Sequence, residues 1–190
     1  MAGGFSAIDL SQLPAPDAVH AVDYEATLAS MLVDLRARAP EFDALVESDP
    51  AFKLLEAAAY FKVLTLQRVN DAARAVMPAY SMGADLDQIA ARYGVVRLII
   101  DPGDPAALPP VLPTLEGDED LRRRMLLSFE GLSTAGSIGS YIFHALGADA
   151  DVADASVQRP APGEVLVTVL SRTGDGTASP AVIAAVLAAL

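Results

Sequence analysis

The chain has 190 residues, 53% hydrophobic and 20% charged, enough for one good core or two small ones in a globular protein. Its net charge of −12 argues against a general binder of nucleic acid or anionic membranes, which draws affinity from clustered Lys and Arg. The absence of cysteine excludes disulfides, thiolate metal sites and cysteine nucleophiles.

Met1–Leu10 has neither a basic stretch nor a continuous apolar one, so it does not read as a secretory signal. Residues 5–22 are rich in Pro, Ala and polar residues without a sustained period and read as an extended arm, 1–22. A first helix is expected from Tyr24 to Ala39, capped by Asp23, with Leu28, Met31, Leu32 and Leu35 on one stripe and Pro40 past its end. A short helical turn through Phe42, Leu45 and Val46 should follow.

The dominant feature is an unbroken helical stretch over 50–77. Asp49 is its expected cap, Pro50 sits at the first position, where a missing N–H costs nothing, and Pro78 closes it. Near its start only Lys53, Glu56 and Lys62 are charged, so apolar residues occupy more than one side. A single buried stripe covers only about a third of a helix surface, and the segment is roughly 40 Å long. It is either an interaction rod or a central helix wrapped by its own chain.

Asp85 and Gln88 have capping-box spacing at the start of a compact helix that Gly94 ends in a left-handed conformation. Val95–Ile100 is a short strand-like run, and the Pro-rich stretch 101–115 reads as a semi-rigid connector between a helical domain, 23–100, and a small α/β domain, 116–190. Asp118 is placed to cap a helix carrying Leu121, Met125, Phe129 and Leu132. Within it, Arg122-Arg123-Arg124 lies beside four acids and reads as a solvated or salt-bridged face. Ser137 caps a helix with Tyr141, Ile142, Ala145 and Leu146. Residues 152–158 and 164–171 read as a strand pair, and a last helix begins at Pro180. The expected fold class is therefore α+β: a mainly helical N-terminal part, then a β-hairpin plus helix. Such a ribbon is marginal alone, so a further strand or a partner surface is expected to complete it.

Catalytic signals are weak. His20 and His144 lie in unlike contexts, without a triad-type spacing to Ser, Asp or Glu. The loop Arg172–Pro180 is the one enzyme-like feature, since strand-to-helix loops can hold an anion on backbone N–H groups. It lacks the phosphate-loop and dinucleotide glycine patterns, and Asp175 alone cannot supply the oxygens calcium needs. A plain loop capped by Ser179 or Thr177 is the simpler reading, and no cofactor or metal is expected.

Several segments in order resemble the baseplate J-like proteins of contractile phage tails and related contractile injection particles. They are Phe5–Leu10 with Leu13-Pro14, Asp49–Glu56, Arg68–Ala73, Gly83–Asp87 before Tyr93-Gly94-Val95, Ser133–Gly136 leading to Tyr141, and Pro162–Val165 with Gly174–Thr177. The resemblance implies a structural wedge protein rather than an enzyme. It implies that copies pair with each other and with a smaller wedge protein through bundled helices, and that wedges close into a sixfold ring contacting hub and sheath. Neither nucleic acid nor membrane is among the implied partners. The implied location is the tail baseplate, with assembly in the bacterial cytoplasm. Members usually continue past the point where this sequence stops, so the last domain is expected to be incomplete. Leu54, Leu55, Ala58, Phe61, Leu66, Val69 and Val76 are the expected bundle residues, with intrachain core as their other reading, and Phe5, Ile8 and Leu10 are expected to dock the arm. The competing functions are a small phosphate- or ligand-binding enzyme domain using the 172–180 loop and an unrelated adaptor.

Overall fold

The computed structural model describes residues 10–14, 16, 20–134 and 136–190. The fold is α+β, with two compact units: one from Leu13 to Tyr80, the other from Ser81 to Leu190, to which a 3₁₀ turn at Leu10–Gln12 also belongs.

The first unit is a pair of helices. Helix α1, Tyr24–Arg38, opens where the Asp23 carboxylate accepts from the Ala26 N–H at 3.0 Å. Removing that cap with Asp23→Ala is expected to lower the stability of this unit by about 1 kcal/mol, measured by urea unfolding followed through helical circular dichroism. A 3₁₀ turn at Pro40–Phe42 leads to α2, Pro50–Ala75, which packs against α1. Pro50 takes the first helical position as expected, but Asp49 does not cap α2 with its side chain. Its carboxylate accepts instead from the Val46 N–H at 2.9 Å, because the tight turn before the helix orphans that donor closer by.

The second unit holds α3, Gly83–Ala91, and α4, Asp118–Leu127, followed by α5, Ile138–Ala148, a hairpin of β3, Val152–Gln158, and β4, Leu166–Ser171, and finally α6, Pro180–Ala189. Leu86, Ile89, Ala90 and Val95 bury against Leu121 and Met125 of α4. A second cluster joins Leu127, Ile142, Ala145 and Leu146 to Val152, Ala155, Val182 and Val186. Phe143 packs against both clusters and ties them into one unit. Ser137 and Ser179 cap α5 and α6 through their hydroxyls, at 3.2 Å to Ser140 N and 3.3 Å to Val182 N. Gly94 ends the α3 region at φ 70°.

Four local expectations give way to tertiary partners. Asp85 lies inside the first turn of α3 and Met82 holds the N-cap position, so no capping box forms. Gly117, not Asp118, precedes α4, and the Asp118 side chain serves the start of α3. Phe129 and Leu132 lie beyond α4 and are exposed, because the helix stops at Leu127 and a 3₁₀ turn at Glu130–Leu132 follows. In the stretch Val95–Ile100 only Ile99 and Ile100 are strand, within β1, Ile99–Asp101, while Val95 turns into the core.

The Pro-rich stretch 101–115 is a hairpin rather than a plain connector. Residue Ile99 pairs with Leu115 of β2, Thr114–Leu115, and Asp104 bridges Val111. Asp101 accepts from the Gly103 N–H at 2.8 Å, and Gly103 adopts φ 68° against the Val111 and Leu112 backbone, where a side chain has no room. The division between compact units falls at Tyr80–Ser81, since α3 shares its core with α4 across this hairpin.

Candidate interaction surfaces

Helix α2 has three distinct sides. Ala59 and Asn70 are buried, Leu55, Val63, Leu66 and Ala73 are half-buried, and all six recur at steps of three and four, which marks the side covered by α1 and, at Asn70, by the backbone of His20. Leu54, Ala58, Phe61, Val69, Ala72 and Val76 recur with the same period about 120° around the helix, given 3.6 residues per turn, and all are exposed. Leu54 is 73% exposed, Phe61 65% and Val76 72%. Tyr60 stacks edge to face on Phe61 with ring centroids 5.9 Å apart, broadening the stripe at its middle. Lys53, Glu56 and Arg74 lie on the remaining side.

The structure therefore divides the seven expected bundle residues. Leu54, Ala58, Phe61, Val69 and Val76 share the open stripe, while Leu55 and Leu66 belong to the side packed on α1. Of the arm residues, Leu10 is half-buried in the first 3₁₀ turn, and Phe5 and Ile8 lie outside the described residues.

A second apolar surface lies in the other unit. A groove of about 690 Å³ runs between β4 and α6, lined by Val165, Val167, Val169, Ile183 and Leu187 among others and by no charged residue. β4 pairs with β3 on one edge. Its other edge bridges only Thr177 among the described residues, with the Ser171 N–H donating to Gly176 O at 2.9 Å.

Three guanidinium groups, those of Arg97, Arg122 and Arg124, organise the polar interior of this unit. Glu116, 2% exposed, accepts from Arg124 Nε at 2.8 Å and Nη2 at 2.5 Å and from the Leu98 N–H at 3.1 Å. Arg124 also donates to Val96 O. Arg97 donates to Asp87, to Asp118 and to Glu116 O, while Arg122 reaches Glu119 and Ser81 O. Of the two readings of the Arg122–Arg124 run, solvated or salt-bridged, the structure shows the second: Arg122 pairs with Glu119 and Arg124 with Glu116, both arginines buried, while the half-buried Arg123 pairs with Asp154. Burial of a guanidinium needs such saturation, because an unpaired charge in the interior is strongly disfavoured.

The Gly83 N–H and the Arg97 guanidinium hold the Asp118 carboxyl below the usual carboxylate range. A depressed folded-state pKa means that the unfolded chain binds the proton first as pH falls. The stabilisation is complete above the ordinary aspartate pKa and is lost below it, on the way to the folded-state value. Asp118→Asn is expected to flatten the acid limb of stability against pH in that window, read by urea midpoints from pH 7 downward.

The 172–180 loop places its donors on protein acceptors, with the Arg172 N–H donating to Asp151 O at 2.7 Å and its guanidinium to Ala150 O and Asp120. Asp175 accepts from the Thr177 N–H at 3.0 Å, Ser179 caps α6, and Gly174 and Gly176 take φ 66° and 92°. Asp151 receives the Ser171 hydroxyl, which holds its carboxyl below the ordinary range. His20 and His144 lie in different compact units, and among the described residues no group of three or more His, Asp or Glu could hold a metal ion.

An open apolar stripe on a long helix and an open sheet edge over an uncharged groove are apolar surfaces of the class that structural assembly proteins bury against partners. The model of the baseplate J-like N-terminal domain matches residues 47–104 and that of the baseplate J-like central domain matches residues 133–190. Baseplate protein J of Escherichia phage P2 is 46% identical over 190 residues, covering 96% of this chain and 63% of the relative. The chain belongs to the baseplate J-like family. The chain spans 63% of the length of the curated relative it matches.

Proposed function

We propose that the chain is a wedge component of the baseplate of a contractile tail. In this reading α2 pairs with α2 of a second copy and with helices of a smaller tail protein, and the wedges close into a ring around the hub. The observation that carries it is the open stripe on α2, which α1 leaves uncovered along most of the helix. Since α1 already supplies one side, each copy brings a two-helix hairpin to the bundle rather than a bare rod. Obligate interfaces of this type bury on the order of 2,000 Å² or more, and their centres resemble a domain core.

The family supports a place in the tail baseplate of a particle, and assembly takes place in the bacterial cytoplasm. The ring holds sheath and hub together until engagement of the host changes its geometry. The net charge of −12 fits a role without nucleic acid or anionic lipid as partner, and no helix among the described residues is long and apolar enough to cross a membrane.

Electron microscopy of purified particles tests the reading directly. Density for several copies of this chain in a ring at the base of the tail is the expected result, with α2 inside a multi-chain bundle. A particle in which α2 faces solvent along its open stripe overturns it.

A further inference from the structure

Asn70 is a polar residue on an otherwise apolar side of α2, and only 5% of it is exposed. Its carboxamide is used twice on one residue: Oδ1 accepts from the His20 N–H at 2.8 Å, and Nδ2 donates to the His20 C=O at 2.9 Å. A side-chain amide carries the same donor and acceptor as a peptide group, so this site recognises backbone and is indifferent to the side chain at 20, which is exposed. The placement gives the contact a purpose. His20 precedes the start of α1 at Tyr24, while Asn70 lies near the end of α2, so the two helices run antiparallel and α1 begins too late to cover the end of α2. The segment entering α1 passes over that end instead.

We propose that Asn70 is a lock that straps the segment at His20 onto α2 and so closes the α1 side of the helix as far as its C-terminal turns. With the strap down, the open stripe from Leu54 to Val76 is the one apolar side of α2 left for partners. With the strap lifted, the surface around Asn70 and Ala73 becomes a second one. The lock is held shut because a buried carboxamide without partners is costly. This inference concerns the chain by itself and does not rest on the wedge assignment.

Hydrogen exchange on the whole chain, read by mass spectrometry, tests it. Asn70→Ala is expected to speed exchange of the His20 amide by about tenfold or more, as loss of a buried, doubly bonded partner should, while amides in Ser81–Leu190 keep their wild-type rates. His20→Ala is expected to retain protection, since the lock holds main-chain atoms. Unchanged exchange at His20 in Asn70→Ala, or equal loss of protection in His20→Ala, overturns the proposal. If Asn70→Ala raises exchange throughout Tyr24–Ala75, the pair of helices has loosened as a whole and His20→Pro decides. That variant keeps Asn70 and deletes the donated N–H. Proteinase K cleavage at Ala21–Asp23 accelerated about tenfold supports the lock, and cleavage at the wild-type rate overturns it.

Discussion

Glu116→Ala is expected to destabilise the Ser81–Leu190 unit by about 3–5 kcal/mol, the range seen when one partner of a buried ion pair is removed. The carboxylate is 2% exposed and its partner guanidinium 8%. Its removal leaves Arg124 charged and short of two hydrogen bonds in a buried site, and it orphans the Leu98 N–H. The loss is not confined to one pair. Arg124 holds Val96 O and Arg97 holds Glu116 O, so the same cluster fixes the chain between α3 and the hairpin that starts at β1. Glu116→Gln keeps the shape and loses the charge, and should fall between wild type and alanine. The double variant Glu116→Leu with Arg124→Met should recover much of the stability, because replacing both partners removes the desolvation cost together with the attraction. Arg123→Ala, breaking an exposed pair with Asp154, should cost under about 1 kcal/mol. Urea unfolding of these variants and of the single variants Glu116→Leu and Arg124→Met measures the differences, and a double variant whose loss equals the sum of the Glu116→Leu and Arg124→Met losses would show that the pair is not energetically coupled.

Local features were legible in the sequence where the local partner is also the one used. Asp23, Ser137 and Ser179 cap the helices they precede, because the freed N–H groups two or three residues on are the nearest donors. Val152–Gln158 and Leu166–Ser171 pair as their β-branched composition indicates. The same reasoning fails at Asp49 and Asp118, which have capping residue types but closer or stronger partners: the Val46 N–H in one case, the Gly83 N–H and Arg97 in the other. The Arg97 and Gly83 partners come from 21 and 35 residues away, and no periodicity reports a pairing at that range. Arg122 and Arg124 illustrate the same limit. Three adjacent arginines beside four acids suggest a solvated or salt-bridged face, and the pairs with Glu119 and Glu116 do form, but the burial of Arg122 and Arg124 depends on tertiary acceptors, Ser81 O and Val96 O, that the local sequence does not report. On α2 the surplus of apolar residues was legible and its division was not, since only the packing of α1 decides which stripe stays open. Asn70 carried one faint signal, a lone amide at a position whose spacing otherwise selects apolar residues.

Phe61→Asp is expected to leave the isolated chain folded and to abolish its association with partner chains. In the chain alone Phe61 is 65% exposed, so a charge there stays in water and the change in stability should lie within about 0.5 kcal/mol, as for surface substitutions generally. Inside a bundle the same carboxylate loses its water without gaining a partner, a cost of several kcal/mol. Each 1.4 kcal/mol is a factor of ten, so affinity should fall by about a hundredfold or more and particles should fail to assemble. Leu55→Asp separates this effect from simple misfolding. Leu55 is half-buried on the side of α2 that packs on α1, so a carboxylate there should weaken the helix pair itself, with a lower melting temperature before any partner is added. Melting curves of both purified variants, with particle yield in complemented host cells, give the comparison. Wild-type particle yield from Phe61→Asp would remove the open stripe from the assembly. A Leu55→Asp chain as stable as wild type would mean that α1 does not hold the face of α2 on which the division into open and covered stripes depends.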